Sequence, residues 1–540
     1  MGKNRERRES LVYHAKPRPG KIEVVPTKKY NSQRDLALAY SPGVAIPCQE
    51  IEKDPSNVYK YTNKSNLVAV ISNGTAVLGL GDIGPAASKP VMEGKALLFK
   101  IFADIDVFDI EINEKDPDKF IEVVKAISTT FGGINLEDIK APEAFKIEKE
   151  LVDQLDIPVM HDDQHGTAII SAAALLNALE LVDKNIKDVK IVVSGAGAAA
   201  IACTKLYLSF GAQLKNILMT DSKGVINKYR EGLSKEKKFF VSNRDINTLE
   251  QAMVDSDVFV GLSMANILSE KMLKTMARDP IVFAMANPDP EISYDKAMSA
   301  REDIIFATGR SDLPNQVNNV LGFPFIFRGA LDVRATKINE EMKKAAVVAL
   351  AELAKKPVPE QVNIAYDETK LNFGKDYIIP KPFDPRLISE IPPAVAKAAI
   401  DSGVAQEPIT DWDKYTEILD ERLGNNQKLI RIIHRSARKV KEKKLVFTEA
   451  DHLDVLKAAQ ICFEEKIAEP ILLGRKKIIE ELMESLDFNE DLHIIDPTDK
   501  ANKELIEEYS KVLFKKLRRK GKTLDDVKRL LRGRDYFGSM

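Results

Sequence analysis

Lys190-Ile-Val-Val-Ser194 runs directly into Gly195-Ala-Gly-Ala-Ala-Ala200 and then into the helix-favouring stretch Ile201 to Ser209. A buried-type strand, a glycine turn and a helix in that order leave few architectures open, because the helix must return the chain to a parallel neighbour. Similar strand-like runs end at Asp221, Ser263 and Asn287, with helical segments between them. This alternation predicts an α/β fold built on a Rossmann-like, doubly wound parallel sheet.

Gly195 and Gly197 with Ala200 keep the G-x-G-x-x-A spacing, and the expected strand and helix flank them. The missing side chains let the backbone approach a pyrophosphate, while the helix start at Ala198 and Ala199 offers N–H donors and its positive dipole end. Asp221 closes the next strand, where a carboxylate binds the adenosine ribose and by itself favours NAD. Ser222 and Lys223 follow and supply groups for a 2′-phosphate. Local chemistry therefore leaves NAD and NADP both open.

Two adjacent-carboxylate pairs, Glu137-Asp138 and Asp162-Asp163, fall within one short segment. Carboxylates so concentrated call for a counter-charge, and an all-oxygen donor set suits Mg2+ or Mn2+. His161 and His165 have the i,i+4 spacing of a zinc motif, but no glutamate base lies between them. Alone, Glu137-Asp138 would read as a helix cap; its coupling to Asp162-Asp163 beside a nucleotide domain favours the metal. Tyr40, before Ser41-Pro-Gly43, and Lys95, in Lys89-Pro-Val-Met-Glu-Gly-Lys95, would each read as ordinary surface groups in isolation. Proton transfer at a hydroxyl or an enol carbon needs such groups.

Nearer the N-terminus, Leu67 to Ile71 and Ala76 to Leu80 flank Asn73-Gly74 and predict a hairpin. Pro90 suits the first turn of a helix reaching about Lys100, and the alternation from Ile105 to Ile112 predicts a strand. At 540 residues the chain exceeds one ordinary core,. The expected division is an α/β N-terminal catalytic and substrate domain over 1–165, the nucleotide domain over 166–400, a polar linker over 401–424 and a partial α/β domain over 425–540. A net charge of -2 argues against a nucleic-acid binder,. The 3 cysteines are far apart and form no framework, as in a reducing cytoplasm,. No stretch offers the roughly 20 apolar residues of a membrane helix.

The segments Leu38-Ala-Tyr-Ser-Pro-Gly-Val-Ala45, Asn73-Gly-Thr-Ala-Val-Leu-Gly-Leu-Gly-Asp-Ile-Gly84, Pro90-Val-Met-Glu-Gly-Lys95, Asn135-Leu-Glu-Asp138, His161-Asp-Asp-Gln-His-Gly-Thr167, Ala286-Asn-Pro288 and Asn315-Gln-Val-Asn-Asn319 occur in one order. Together they resemble the malic enzyme family in its shorter bacterial form. The resemblance implies oxidative decarboxylation of malate to pyruvate and CO2 with reduction of NAD(P)+, NADP being favoured in fused bacterial members. It implies Lys95 as the base for the C2 hydroxyl, Tyr40 as the acid for C3 of the enol, and Asp162 steadying Lys95. Glu137, Asp138 and Asp163 would hold the metal, while Asn287 and Asn319 would bind the substrate carboxylate. Ser72 is a weaker substrate candidate and Ser263 a weaker cofactor candidate; Asn287 also borders the cofactor.

Longer eukaryotic-type members carry an arginine before the Leu-Gly-Leu-Gly-Asp segment, where this chain has Thr75-Ala76-Val77. The distal carboxylate is then expected to borrow a basic residue, with Lys28 and Lys29 of a dimer partner as candidates. From Lys444-Leu-Val-Phe-Thr-Glu-Ala450 through Gly474-Arg475, Arg519-Lys-Gly-Lys-Thr523 and Tyr536-Phe-Gly538, the tail resembles the opening of a phosphate acetyltransferase domain. The expectation there is no acetyl transfer, but a site for acetyl-CoA as regulator or an assembly element within a longer fused chain. Two rival readings stand beside the main one: a malolactic-type enzyme that keeps its cofactor and releases lactate, and an idle acetyl-CoA-responsive scaffold.

Overall fold

The computed structural model describes the chain apart from residues 1, 78, 288, 367–370, 423–442, 465, 466, 487, 489 and 491. The chain divides into two compact units, Met1–Leu423 and Gly424–Met540. Pro288 of the Ala286-Asn-Pro288 motif and the start of the expected C-terminal domain lie outside the described residues.

In the first unit a four-stranded parallel sheet has the order β2-β1-β3-β4, formed by β1 (Leu67–Ser72), β2 (Asp106–Glu111), β3 (Gly133–Leu136) and β4 (Val159–His161). Every residue of β1 is buried, as suits an unbroken apolar run covered on both faces of a parallel sheet. The expected hairpin at Asn73-Gly74 is not formed. β1 gives its two edges to β2 and β3, so no edge remains for 76–80, and Val77 only bridges back to Gly81. Gly74 does adopt the positive φ a turn requires, +64°, but the turn redirects the chain into the helix Pro85–Ala103. That helix starts earlier than Pro90 suggested. Pro85 takes the first-turn position where a missing N–H costs nothing, and Pro90 lies inside the helix.

A second, six-stranded sheet has the order β10-β9-β8-β5-β6-β7. Its strands are β5 (Ile191–Ser194), β6 (Ile217–Asp221), β7 (Gly224–Val225), β8 (Val258–Gly261), β9 (Ile281–Ala284) and β10 (Ile305–Thr308). All pairings are parallel except β6 with β7. The chain leaves β5 toward β6 on one side and later returns to β8 on the other. The carboxyl ends of β5 and β8 therefore flank the switch point where such sheets bind nucleotides, confirming the doubly wound expectation.

The helix Asp162–Leu181 joins the two sheets and crosses the division expected at 165/166. Its body is buried on all sides, including the run from Ala168 to Leu175. One continuous apolar cluster contains Val68 and Val70 of the first sheet, this helix, and Val193 and Val260 of the second. A helix apolar all round is stable only in such a central position. The stretch expected as a linker also folds. Within it the helix Trp412–Arg422 buries Tyr415 and Leu419, the Tyr415 hydroxyl donates to Asp332 at 2.8 Å, and Arg422 reaches Asp104 at 3.0 Å. Two apolar anchors one turn apart suffice to dock it, too few to register as a period.

The second unit carries a parallel sheet in the order β11-β12-β13, formed by β11 (Lys444–Phe447), β12 (Glu469–Leu473) and β13 (His493–Ile495). A small core around Ala450, Leu456, Leu472 and Ile479 backs it. No helix among the described residues is long and apolar enough to cross a membrane.

Candidate active site

The carboxyl edge of the first sheet gathers the acidic residues. β1 ends at Ser72, β3 ends one residue before Glu137, and β4 ends at His161, directly before Asp162. Register pairs Ile71 with Leu136 and Leu136 with His161, which aligns the three ends. Asp138 adopts φ +53°, and its backbone N–H donates to Asp163 Oδ2 at 2.9 Å. Ligand atoms of Glu137, Asp138 and Asp163 lie within 4.8 Å of one another.

Lys95 stands beside this group. Its Nζ is 2.7 Å from Asp162 Oδ2 and 2.8 Å from Glu137 Oε1, and 4.3 Å from the centre of the Phe323 ring. The helix Pro85–Ala103 positions it, because Ser88, Met92, Ala96, Phe99 and Ala103 form the buried stripe next to which Lys95 emerges. Burial disfavours the ammonium, but Asp162 and Glu137 outweigh it and hold Lys95 above the ordinary lysine range. Asp162 is fully buried and folds back along its own helix. A Cβ at Gly166 would lie 1.9 Å from Asp162 Oδ1, so only glycine admits this approach. Asn319 donates to Asp162 Oδ2 at 3.0 Å and accepts from the Thr167 hydroxyl at 3.0 Å, locking the carboxylate in place.

Burial, reinforced by Asp163, Asp162 and Asp138 and opposed by Lys95, pushes Glu137 well above the usual carboxylate range. A group so crowded with negative oxygens, and with no histidine or cysteine in it, fits a hard divalent cation. His165 is engaged elsewhere. Its Nε2 lies 3.0 and 3.1 Å from the two Glu148 oxygens, and its Nδ1 3.1 Å from Lys343 Nζ.

Glu148 is a residue that motif reading missed. It accepts from the His161 backbone N–H at 2.8 Å and from Gln164 at 3.1 Å, gripping both sides of Asp162-Asp163. Burial opposes its charge, but His165, His161 and Lys343 bring its carboxyl down to about 2. The available signal was its place in the stripe Ala144, Ile147, Glu148, Leu151, where an acid replaces an apolar residue.

Tyr40 stands apart. It caps the helix Gln33–Ala39, is 77% exposed, and makes no side-chain hydrogen bond among the described residues. Ser72 is buried and its hydroxyl accepts from the Gly74 N–H at 2.9 Å.

In the second sheet the glycine turn follows β5 as expected. Gly195 has φ +119°, Gly197 caps the helix Ala198–Ser209, and Ala200 is buried against the sheet. Ser263 follows β8 and its hydroxyl is 2.9 Å from that of Ser194. Asn287 follows β9 and packs over Gly309, beyond β10. Asp221 is not a free ribose acceptor. Both of its oxygens accept from Arg230 Nη2 at 2.9 Å. Lys237 Nζ donates at 3.1 Å and the Lys223 N–H at 2.9 Å. Partial burial opposes its charge, yet the Lys223 N–H, Lys237 and Arg230 hold the carboxyl below its usual range. Ser222 and Lys223 are exposed beside it. Arg230 and Lys237 escaped motif reading because they follow the strand end by many residues, although Lys228 to Lys238 is dense in basic side chains.

A nucleotide crevice on one sheet and a lysine set among hard-metal oxygens on the other, joined through a single helix, define a metal-assisted, nicotinamide-dependent oxidoreductase. Comparison with known proteins narrows the class. The malic enzyme N-terminal domain matches residues 19–152, the malic enzyme NAD binding domain residues 164–367, and phosphate acetyl/butaryl transferase residues 428–540. An NADP-dependent malic enzyme of Salmonella typhimurium is 54% identical over 534 residues, covering 98% of this chain and 70% of that protein. An NAD-dependent malic enzyme of Rhizobium meliloti is 53% identical over 473 residues, 87% of this chain and 61% of its own. The crystal structure of malic enzyme from Pyrococcus horikoshii matches with a TM-score of 0.71 at 40% identity, over 80% of this chain and 99% of that one. The chain belongs to the malic enzyme family.

Proposed function

We propose that the chain oxidatively decarboxylates malate to pyruvate and CO2 with reduction of NADP+, and that Lys95 is its general base. The observation that carries this reading is Lys95 placed between Asp162 and Glu137, on the rim of the Glu137–Asp138–Asp163 oxygens. A Mg2+ or Mn2+ ion held by those three side chains would supply Lewis-acid polarisation of the substrate's C2 oxygen. With such an ion offsetting the carboxylates that hold Lys95 protonated, its amine would take the C2 hydroxyl proton as hydride passes from C2 to a bound nicotinamide. Asp162 then holds the resulting ammonium, and Asn319 holds Asp162. Asn287 and Asn319 would bind the substrate carboxylate, with Ser72 a weaker candidate, and Ser263 with the glycine turn would contact the cofactor.

NADP is favoured by Arg230 and Lys237, whose positive charges exceed the single carboxylate of Asp221 and suit an added phosphate. A Rhizobium relative is an NAD-dependent malic enzyme, so coenzyme choice differs within the family, and this reading assigns it here to Arg230 and Lys237. Tyr40, as the acid for C3, needs delivery into a cleft. Val24, Val25, Tyr30, Leu36, Leu38 and Ile46 are exposed apolar neighbours of it in sequence, a surface suited to a second copy of the chain. The reading therefore includes a homodimer. For the unit 424–540 the family match supports an acetyl-CoA-responsive role.

The test is an assay with malate, Mn2+ and either coenzyme, following reduced nicotinamide by absorbance and organic acids by chromatography. NADPH and pyruvate formed together are expected. Lactate without net reduced coenzyme would sink the proposal in favour of the malolactic reading, and added acetyl-CoA should change the rate.

A further inference from the structure

Glu291 is fully buried and follows the loop after β9. Its carboxylate spans two loops: Oε1 accepts from the Ser263 N–H at 3.0 Å and Oε2 from the Ala286 N–H at 3.1 Å. Two backbone bonds frame this clasp, Asn266 N–H to Pro290 O at 3.1 Å and Leu268 N–H to Glu291 O at 3.0 Å. The end of β8 is shaped to receive it. A Cβ on Gly261 would lie 2.3 Å from Glu291 Cδ and 2.6 Å from both oxygens.

The clasped loop is wedged on its other side as well. A Cβ on Gly195 would lie 2.5 Å from Leu262 O, so the glycine turn and the loop after β8 are in direct apposition. The hydroxyls of Ser194 and Ser263, 2.9 Å apart, tie the same two segments. A push on residue 263 is therefore transmitted to the turn that would receive the pyrophosphate. An amide side chain would fill the same volume. Each N–H meets a different oxygen, which a carboxylate satisfies and a glutamine, with one oxygen and an NH2 donor, does not; burying the carboxylate is costly unless both bonds form,.

We infer that Glu291 is a positioning residue for the coenzyme, fixing the loops after β8 and β9 against the glycine turn so that Ser263 and Asn287 meet the nicotinamide half. This rests on the nicotinamide-dependent reading of the second sheet. Glu291 acts through the loops and takes no part in the chemistry.

The experiment compares purified wild type with E291Q and with G261A, which attacks the same clasp from the opposite side. NADPH affinity is read by fluorescence titration, KM for NADP+ and for malate by initial rates, and folding by thermal melting. Expected is a rise of about tenfold or more in NADPH dissociation constant and NADP+ KM in both variants, with malate KM within about twofold. The double variant should be little worse than the more severe single one, because both break the same clasp; fully additive losses would mean two separate effects. If the variants melt earlier yet keep wild-type NADPH affinity and NADP+ KM, Glu291 is merely structural and the inference fails. Should E291Q not fold, G261A decides by the same readings. Failure of wild type itself to bind NADPH would instead overturn the coenzyme reading.

Discussion

Two carboxylate clusters of this protein carry opposite imbalances of charge. At the edge of the first sheet, Glu137 and Asp162 pair with the ammonium of Lys95, with Asp138 and Asp163 beside them. Beyond the edge of the second, the single carboxylate of Asp221 faces Arg230 and Lys237. On the proposed reading the first, short of positive charge, would be completed by a cation. The second, with charge to spare, would be completed by an anion. The same residue type would thus serve as ligand in one place and as a tether for phosphate-binding side chains in the other, its neighbours deciding which.

The comparison can be broken most severely at Lys95. Lys95→Ala should lower turnover about a thousandfold, while Mn2+ binding by electron paramagnetic resonance and NADPH binding by fluorescence persist. Retained turnover would remove Lys95 from the chemistry. Chelation should reduce activity to background and added Mn2+ should restore it; Asp163→Asn should resist that rescue. At the other cluster the effect is smaller. Arg230→Gln or Lys237→Ala should raise NADP+ KM about 10- to 100-fold, the worth of one charge-assisted bond, with NAD+ KM little changed. Equal losses with both coenzymes would mean these groups only hold Asp221.

A last prediction concerns stability and leaves turnover aside. Glu148 has a folded-state pKa of about 2 against an ordinary 4.5, a shift worth on the order of 3 kcal/mol. Because the folded value is the lower one, that contribution is complete above pH 4.5 and lost as the pH falls toward 2. The melting-temperature gap between wild type and Glu148→Gln should therefore narrow across this range. A constant gap would assign the loss to packing.

The sequence made the cluster residues legible because their motifs are local: Glu137-Asp138 and Asp162-Asp163 each sit just after a strand, and the parallel sheet brings strand ends together. The glycine turn was legible for the same reason. The hairpin at Asn73-Gly74 was misread because turn chemistry is satisfied by any reversal, whereas strand partners are chosen across the whole sheet. Arg230, Lys237, Glu148 and Glu291 act over long sequence separations, with no fixed spacing to betray them. Tyr40 is legible as a motif, yet its exposed position on the helix end could not be read from Ser-Pro-Gly alone.

The helix Asp162–Leu181 sets where relatives of this protein can exchange parts. Its first turn bears the acidic residues, and its alanine-rich body fills the core between both sheets. A chimaera joined at 165/166 would divide one helix between two parents and mismatch small side chains packed on every side. A recombination seam that leaves the helix whole lies upstream, in the loop between Gln154 and Val159, and carries the edge strand β4 along with the nucleotide half. Coenzyme preference and metal ligation would then be inherited unequally: Asp162 and Asp163 travel with the nucleotide half, while Glu137 and Asp138 stay behind.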